Sequence, residues 1–92
     1  MKVVQTNCFM RAVKKLHANQ KANLDKAVKV IMDEPDIGQP KTGDLSGVLV
    51  YKFNMVKQLT LVAYIYEDQT TTLTLLALGA HQNFYRDLKK SV

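Results

Sequence analysis

The stretch VLVYKFNMVKQLTLVAYIYEDQTTTLTLLAL, residues 48–78, decides the fold. Within it, apolar residues alternate with polar ones or run continuously in three segments, 48–53, 59–66 and 71–78. Both patterns are typical of β-strands that are buried on one face or on both. The two connections are five and four residues long, which is short enough for hairpins. The stretch therefore predicts three antiparallel strands that form a meander.

Two amphipathic helices are predicted before the meander. Phe9, Val13 and Leu16 have the i, i+4, i+7 spacing of one helix face, and Thr6 and Asn7 before them are favourable N-caps. A polar cluster at 17–20 interrupts this stripe. Helical spacing then returns in a second set of apolar residues, Leu24, Ala27, Val28, Ile31 and Met32.

The remaining segments complete the predicted architecture. Residues 2–5 are partly β-branched and favour an edge strand, whereas 34–47 are rich in Gly and Pro and predict the only substantial linker. Gly79 is predicted to end the last strand, and residues 81–90 favour a short terminal helix.

This order of elements predicts one α+β domain over residues 1–92. Two N-terminal antiparallel helices are expected to pack on one face of an antiparallel sheet of three to four strands, with a short C-terminal helix after it. The other face of the sheet is expected to be partly free. The functional site could therefore lie on that free face of the sheet.

Composition excludes several classes of protein. The 92 residues carry 13 Lys and Arg against 8 Asp and Glu, a formal net charge of +5, which indicates an acidic partner, either nucleic acid or protein. Cys8 is the only cysteine, so no intrachain disulfide can form. Cys8, His17 and His81 have no metal-ligand spacing, and P-loop, dinucleotide-turn and nucleophile-elbow motifs are absent. We expect no metal and no cofactor.

The N-terminus and the hydropathy pattern bear on location. The first residues lack the apolar core of a secretory signal, and no run approaches the roughly 18 apolar residues that a membrane span needs. The sequence therefore predicts a cytoplasmic protein that has no membrane partner.

Four short motifs in the second half of the chain carry a family resemblance: LSG at 45–47, VYKF at 50–53, VAY at 62–64 and LGAHQNFYR at 78–86. In this order and spacing the chain resembles the RelE/ParE superfamily of toxins from bacterial type II toxin-antitoxin systems. The resemblance implies a RelE-like fold, growth arrest as the activity, and a cognate antitoxin with an acidic or disordered segment as partner.

The C-terminal motif is most similar to that of YafQ-like mRNA interferases, because Gly79 and His81 are followed by an aromatic residue, Tyr85. This resemblance implies metal-free endonucleolytic cleavage of mRNA, with the ribosome and mRNA as partners. The sequence departs from the pattern at Leu61, where RelE-type toxins place an arginine that contacts the scissile phosphate, and it lacks the additional histidines of YafQ-like toxins. These departures favour the alternative of a ParE-type toxin that inhibits DNA gyrase without cutting RNA. A nonenzymatic nucleic-acid-binding domain is a third possibility.

Three residues are predicted to be catalytic. His81 is the natural acid or base because imidazole exchanges a proton near neutrality. If 81–90 is helical, Tyr85 shares a helix face with His81 and could stack on a base. Lys52 is a lone cation in a strand, and alternation places it on the face of Val48 and Val50, away from the helices.

Other cations are given lesser roles. Arg86, Lys89 and Lys90 are predicted to hold flanking phosphates, although they also suit a helix C-terminus.

Tyr85 could instead be a core aromatic residue, and Lys52 could protect a sheet edge. The lysines of the two helices are interpreted as solvated, although an acidic partner could use some of them: Lys14, Lys15, Lys21, Lys26 and Lys29.

Overall fold

The computed structural model describes residues 1–80, 84, 85 and 88. Its strands and α-helices, in chain order, are β1 (Lys2–Gln5), α1 (Asn7–Lys14), α2 (Ala18–Asp33), β2 (Gln39–Pro40), β3 (Leu49–Met55), β4 (Gln58–Glu67) and β5 (Thr72–Ala80). Two 3₁₀ turns, Pro35–Ile37 and Gly43–Leu45, lie between α2 and β3. Within the described residues, no helix has both the length and the apolar character that crossing a membrane requires.

All five strands form one sheet in the order β1-β5-β4-β3-β2. The predicted meander is confirmed, because β3, β4 and β5 pair antiparallel in sequence order. The predicted edge strand β1 is also present, and it pairs parallel with β5. The described sheet has one strand more than the predicted maximum. The addition is the two-residue β2 inside the predicted linker, which pairs with β3 and is too short to show any alternation.

A β-bulge and a helix cap meet where α1 begins. The β4–β5 register shifts between Ala63 and Tyr64. At that irregularity the Thr6 hydroxyl donates a hydrogen bond of 2.7 Å to the carbonyl oxygen of Leu76. The same oxygen of Thr6 accepts the amide of Phe9 at 3.2 Å, which caps α1. Thr6 therefore fixes the start of α1 against β5.

The core lies on both faces of the sheet. On the helix face, Phe9 of α1 and Leu24 of α2 pack in one cluster with strand residues that include Val62 and Tyr64. On the other face, which we call the second face, another cluster joins Leu45 and the C-terminal residues Phe84 and Leu88 to residues in or beside the strands: Val48, Val50, Leu61, Ala63, Leu76 and Ala77. The second face is therefore partly covered, and the short C-terminal segment contributes to its cover.

Candidate functional site

Lys52 lies on the second face, as the alternation of β3 predicts. Its neighbours Tyr51 and Phe53 belong to the helix-side cluster, whereas Val50 belongs to the second-face cluster. The Lys52 side chain is exposed. It is therefore a solvent-accessible cation in the middle of β3.

The cross-strand partner of Lys52 is Leu61, the position where the resemblance to RelE-type toxins implies an arginine. Leu61 is 0% exposed and belongs to the second-face cluster. Directly opposed residues of antiparallel strands have Cβ atoms about 5 Å apart and share a face. Lys52 therefore carries positive charge directly beside the position where the arginine is missing.

Tyr85 packs against the second-face cluster and is half-buried. Its ring meets Phe84 edge to face, with ring centroids 5.3 Å apart and an interplanar angle of 84°. The amine of Lys41 lies 5.2 Å from the centroid of the Tyr85 ring, within the range of a cation–π interaction. Tyr85 is therefore held by apolar packing and stands beside a cation.

Lys41 was not a candidate from the sequence, because it lies in the predicted linker and no motif marks it. Its amide donates a hydrogen bond of 2.9 Å to the carbonyl oxygen of Val48, which continues the β2–β3 pairing. Lys52 is four residues after Val48, which corresponds to about 13 Å of extended strand. Lys41 and Lys52 therefore place two positive charges on the second face, and Tyr85 lies at the Lys41 end.

The other predicted site residues, His81, Arg86, Lys89 and Lys90, lie outside the described residues, and their roles stay predictions. The structure does describe residues on either side of His81. Ala80 ends β5 and pairs with Thr60, while Phe84 packs on the second face.

A groove of about 840 Å³ opens where β5 ends, between α1 and the start of β4. Arg11 of α1 and Lys15, the residue directly after α1, line one side of it, Gln58 and Thr60 line it from β4, and Ala80 lines it from β5. The sequence places Lys15 on a solvated helix face and Arg11 away from the apolar stripe of the same helix, and no motif gives Arg11 a role in a site. No sequence signal shows that α1 lies along the end of β5, since that arrangement depends on tertiary packing.

The described part of the chain has no set of side chains suited to a metal site. No group of three or more His, Cys, Asp or Glu side chains there could hold a metal ion. The half-buried Cys8 packs against the second-face cluster.

Comparison with known proteins identifies the family. Residues 3–89 match the model of the ParE-like toxin of type II bacterial toxin-antitoxin systems. The chain belongs to this ParE-like toxin family. No match was found among curated proteins.

Solved structures show that the ParE-like chain has the fold of RelE, YoeB and ParE toxins. A chain of the RelBE2 toxin-antitoxin complex from Mycobacterium tuberculosis matches with a TM-score of 0.74 and 22% identity, covering 87% of this chain and 96% of that one. A chain of the intact RelBE complex of E. coli matches with a TM-score of 0.72 and 14% identity, over 88% and 96% of the two chains. The YoeB/ParE toxin from Agrobacterium tumefaciens matches with a TM-score of 0.71 and 16% identity, over 88% and 99%.

Proposed function

We propose that this ParE-like toxin arrests growth by ribosome-associated, metal-free endonucleolytic cleavage of mRNA in the cytoplasm. The observation that carries the proposal is the cross-strand pair of Lys52 and Leu61, which puts a solvent-accessible cation beside the position of the missing phosphate-binding arginine. Lys41 and Tyr85 on the same face add a second cation and an aromatic ring.

The proposed reaction is attack of a ribose 2′-hydroxyl on the adjacent phosphate. A base removes the proton of the 2′-hydroxyl, its oxygen bonds to phosphorus, and the bond to the 5′-oxygen breaks as an acid donates a proton to that oxygen. The products are a 2′,3′-cyclic phosphate and a 5′-hydroxyl. This reaction requires no metal, cofactor or redox partner.

The roles follow from the chemistry of each residue. His81 supplies the acid or the base, because imidazole can hold or release a proton near pH 7. Lys52 stabilises the negative charge that gathers on the phosphate oxygens in the transition state. Tyr85 stacks on a base of the mRNA, and Arg86, Lys89 and Lys90 hold flanking phosphates.

A cognate antitoxin is the second proposed partner. The RelBE and RelBE2 structures are toxin-antitoxin complexes, and the net charge of +5 suits a partner with an acidic segment. Coexpression of that antitoxin should relieve the growth arrest.

A ParE-type inhibitor of DNA gyrase is the alternative function. The burial of an apolar residue, Leu61, at the arginine position favours it, since RelE-like phosphate binding from that position is impossible here. In this alternative the basic surface contacts a protein target and no bond is cut.

One experiment separates the two functions. The toxin and its His81→Ala variant are each induced briefly in a bacterial host, mRNA is mapped by primer extension, and the purified proteins are tested for inhibition of gyrase supercoiling. Cleavage of mRNA that His81→Ala lowers by ~10²- to 10⁴-fold supports the nuclease, because that is the usual contribution of a general acid or base. Gyrase inhibition without mRNA cuts, undiminished in folded His81→Ala, supports the alternative. No growth arrest from the unmodified toxin contradicts both.

A further inference from the structure

The net positive charge of this protein is concentrated in about the first quarter of the chain. Residues 1–24 contain five cations and no Asp or Glu, namely Lys2, Arg11, Lys14, Lys15 and Lys21. Residues 25–92 contain eight Lys or Arg and eight Asp or Glu. The whole formal excess of +5 therefore belongs to residues 1–24, which include β1, α1 and the start of α2.

Two of these cations, Arg11 and Lys15, line the groove of about 840 Å³ between α1 and the end of β5. Side chains four residues apart on a helix are neighbours, about 6 Å apart at their Cβ atoms. Both side chains are exposed. The only ion pair among residues 1–80, 84, 85 and 88 is between Lys21 and Asp25 on α2. Within this part of the chain, the charges of Arg11 and Lys15 are not neutralised by a carboxylate.

Both walls of the groove are fixed by hydrogen bonds. On one side, Thr6 attaches the start of α1 to the carbonyl oxygen of Leu76. On the other side is the β3–β4 hairpin, whose residues Met55 and Gln58 line the groove. The amide of Val56 at the hairpin turn donates a hydrogen bond of 2.9 Å to Oδ1 of Asn23 on α2. The groove is therefore preformed before any ligand arrives.

The lining combines the chemistry that a nucleotide strand requires. Arg11 and Lys15 can contact phosphates, and Gln58 supplies an amide for hydrogen bonds. The apolar part of the lining includes Leu16 and Leu78, against which a base or a sugar can pack. This mixture suits a flexible, single-stranded polyanion.

The groove also connects to the candidate catalytic surface. Phe84 lines the groove and at the same time belongs to the second-face cluster, next to Tyr85. Ala80, the residue before His81, lines the groove as well. An RNA strand that is cut beside His81 and Tyr85 can therefore continue into the groove without leaving the protein surface.

We infer that the groove between α1 and the end of β5 binds the phosphodiester backbone of single-stranded RNA through Arg11 and Lys15. This inference rests on the proposed action on mRNA and adds a second contact region to it. Direct continuity with the site, through Phe84 and Ala80, favours RNA over an acidic protein segment as the occupant.

The test is binding of a fluorescein-labelled ten-nucleotide RNA with 2′-O-methyl groups, which cannot be cleaved because the attacking hydroxyl is blocked. Fluorescence anisotropy compares the parental protein with the double variant Arg11→Gln/Lys15→Gln and a control of equal charge change, Lys26→Gln/Lys29→Gln, on the exposed side of α2. We expect the groove variant to bind at least about 10-fold more weakly at moderate salt. Its slope of log affinity against log salt should fall by about 1.4, since each lost phosphate contact on a single strand contributes about 0.7. The control should stay within about 2-fold.

Equal weakening by the two double variants, at unchanged melting temperatures, overturns the inference because net charge alone then explains binding. A ten-residue glutamate peptide that binds as tightly as the RNA, with the same dependence on Arg11 and Lys15, also overturns it in favour of an acidic protein partner. Failure of the proposed function would give a different result. The parental toxin would then cut no mRNA in the primer-extension assay, while RNA binding would still depend on Arg11 and Lys15.

Discussion

The hydroxyl of Tyr64 donates a hydrogen bond of 2.6 Å to the carbonyl oxygen of Pro35. The same hydroxyl accepts the amide of Gly38 at 2.9 Å. Tyr64 is 0% exposed in the central strand β4, and Pro35 begins the 3₁₀ turn that follows α2, whereas Gly38 comes directly after that turn. One buried phenol therefore attaches the sheet to the segment that leads into β2 and Lys41, and it helps to set the position of Lys41 on the second face.

Tyr64→Phe should lower the free energy of unfolding by about 1–3 kcal/mol, because the buried amide of Gly38 loses its acceptor. Urea denaturation measures the change. Tyr66→Phe in the same strand is the matched control, since Tyr66 is half-buried and its hydroxyl makes no hydrogen bond within the described residues. The control should change by less than about 0.5 kcal/mol. Equal losses in the two variants would contradict the role given to the Tyr64 hydroxyl.

The same phenol predicts a loss of stability at alkaline pH. Burial raises the pKa of Tyr64 above its ordinary value of 10.0; the carboxylate of Asp36 also raises it, and the hydrogen bond from Gly38 opposes the change. Below pH 10 the phenol is neutral in both states, so its full contribution to stability is present. Above that pH the unfolded chain loses the proton first, and stability falls until the pH passes the raised pKa of the folded state. The stability advantage over Tyr64→Phe should therefore shrink as the pH rises above 10; an advantage that stays constant would contradict the raised pKa.

Gly38→Ala should destabilise the fold by overpacking. A Cβ at Gly38 would lie 2.6 Å from the Tyr64 oxygen and 2.9 Å from its Cε1, closer than real contacts, and crowding of this kind typically costs about 1–3 kcal/mol. Combining Gly38→Ala with Tyr64→Phe should cost less than the sum of the single changes, because the nearest clashing atom is then absent. Gly43→Ala is the control: its strain comes from a φ of +65° with no atom within 4 Å, so its effect should add to that of Tyr64→Phe. Additivity at Gly38 would refute the clash.

The meander and the side of Lys52 were predictable because each depends on local pattern. Period-2 alternation and short connections specify hairpin-linked strands, and the same alternation separates Lys52 from Tyr51 and Phe53. These features need no knowledge of distant residues.

The position of Lys41 and the groove on α1 were not predictable from pattern. Lys41 is placed by a two-residue strand and by the hydrogen bonds of Tyr64, which come from 26 and 29 residues away in sequence. The groove depends on a contact between Thr6 and Leu76, which are 70 residues apart. Interactions of this range leave no periodic signal in the sequence.

Lys52 should matter for cleavage more than any other described cation of the second face, because it stands directly opposite Leu61. In the proposed cleavage, the arginine that RelE-type toxins place at this position would meet the developing negative charge on the phosphate, and Leu61 carries no such charge. The Cβ atoms of Lys52 and Leu61 are about 5 Å apart, and the amine of Lys52 extends outward on a flexible four-carbon chain. It can therefore supply part of that charge from the neighbouring strand.

Lys52→Ala should lower the rate of cleavage by ~10²- to 10³-fold, the usual effect of removing one preorganised group that stabilises developing charge. Lys52→Arg should retain part of the activity, since the charge stays but its geometry changes. Antitoxin affinity should change much less in both variants, because such interfaces spread their contacts over a large area. Single-turnover cleavage on programmed ribosomes and antitoxin binding are measured on the same protein preparations, with Lys29→Ala on the exposed side of α2 as the control. Cleavage by Lys52→Ala at the parental rate would remove Lys52 from the site, and an equal loss in Lys29→Ala would assign the effect to net charge.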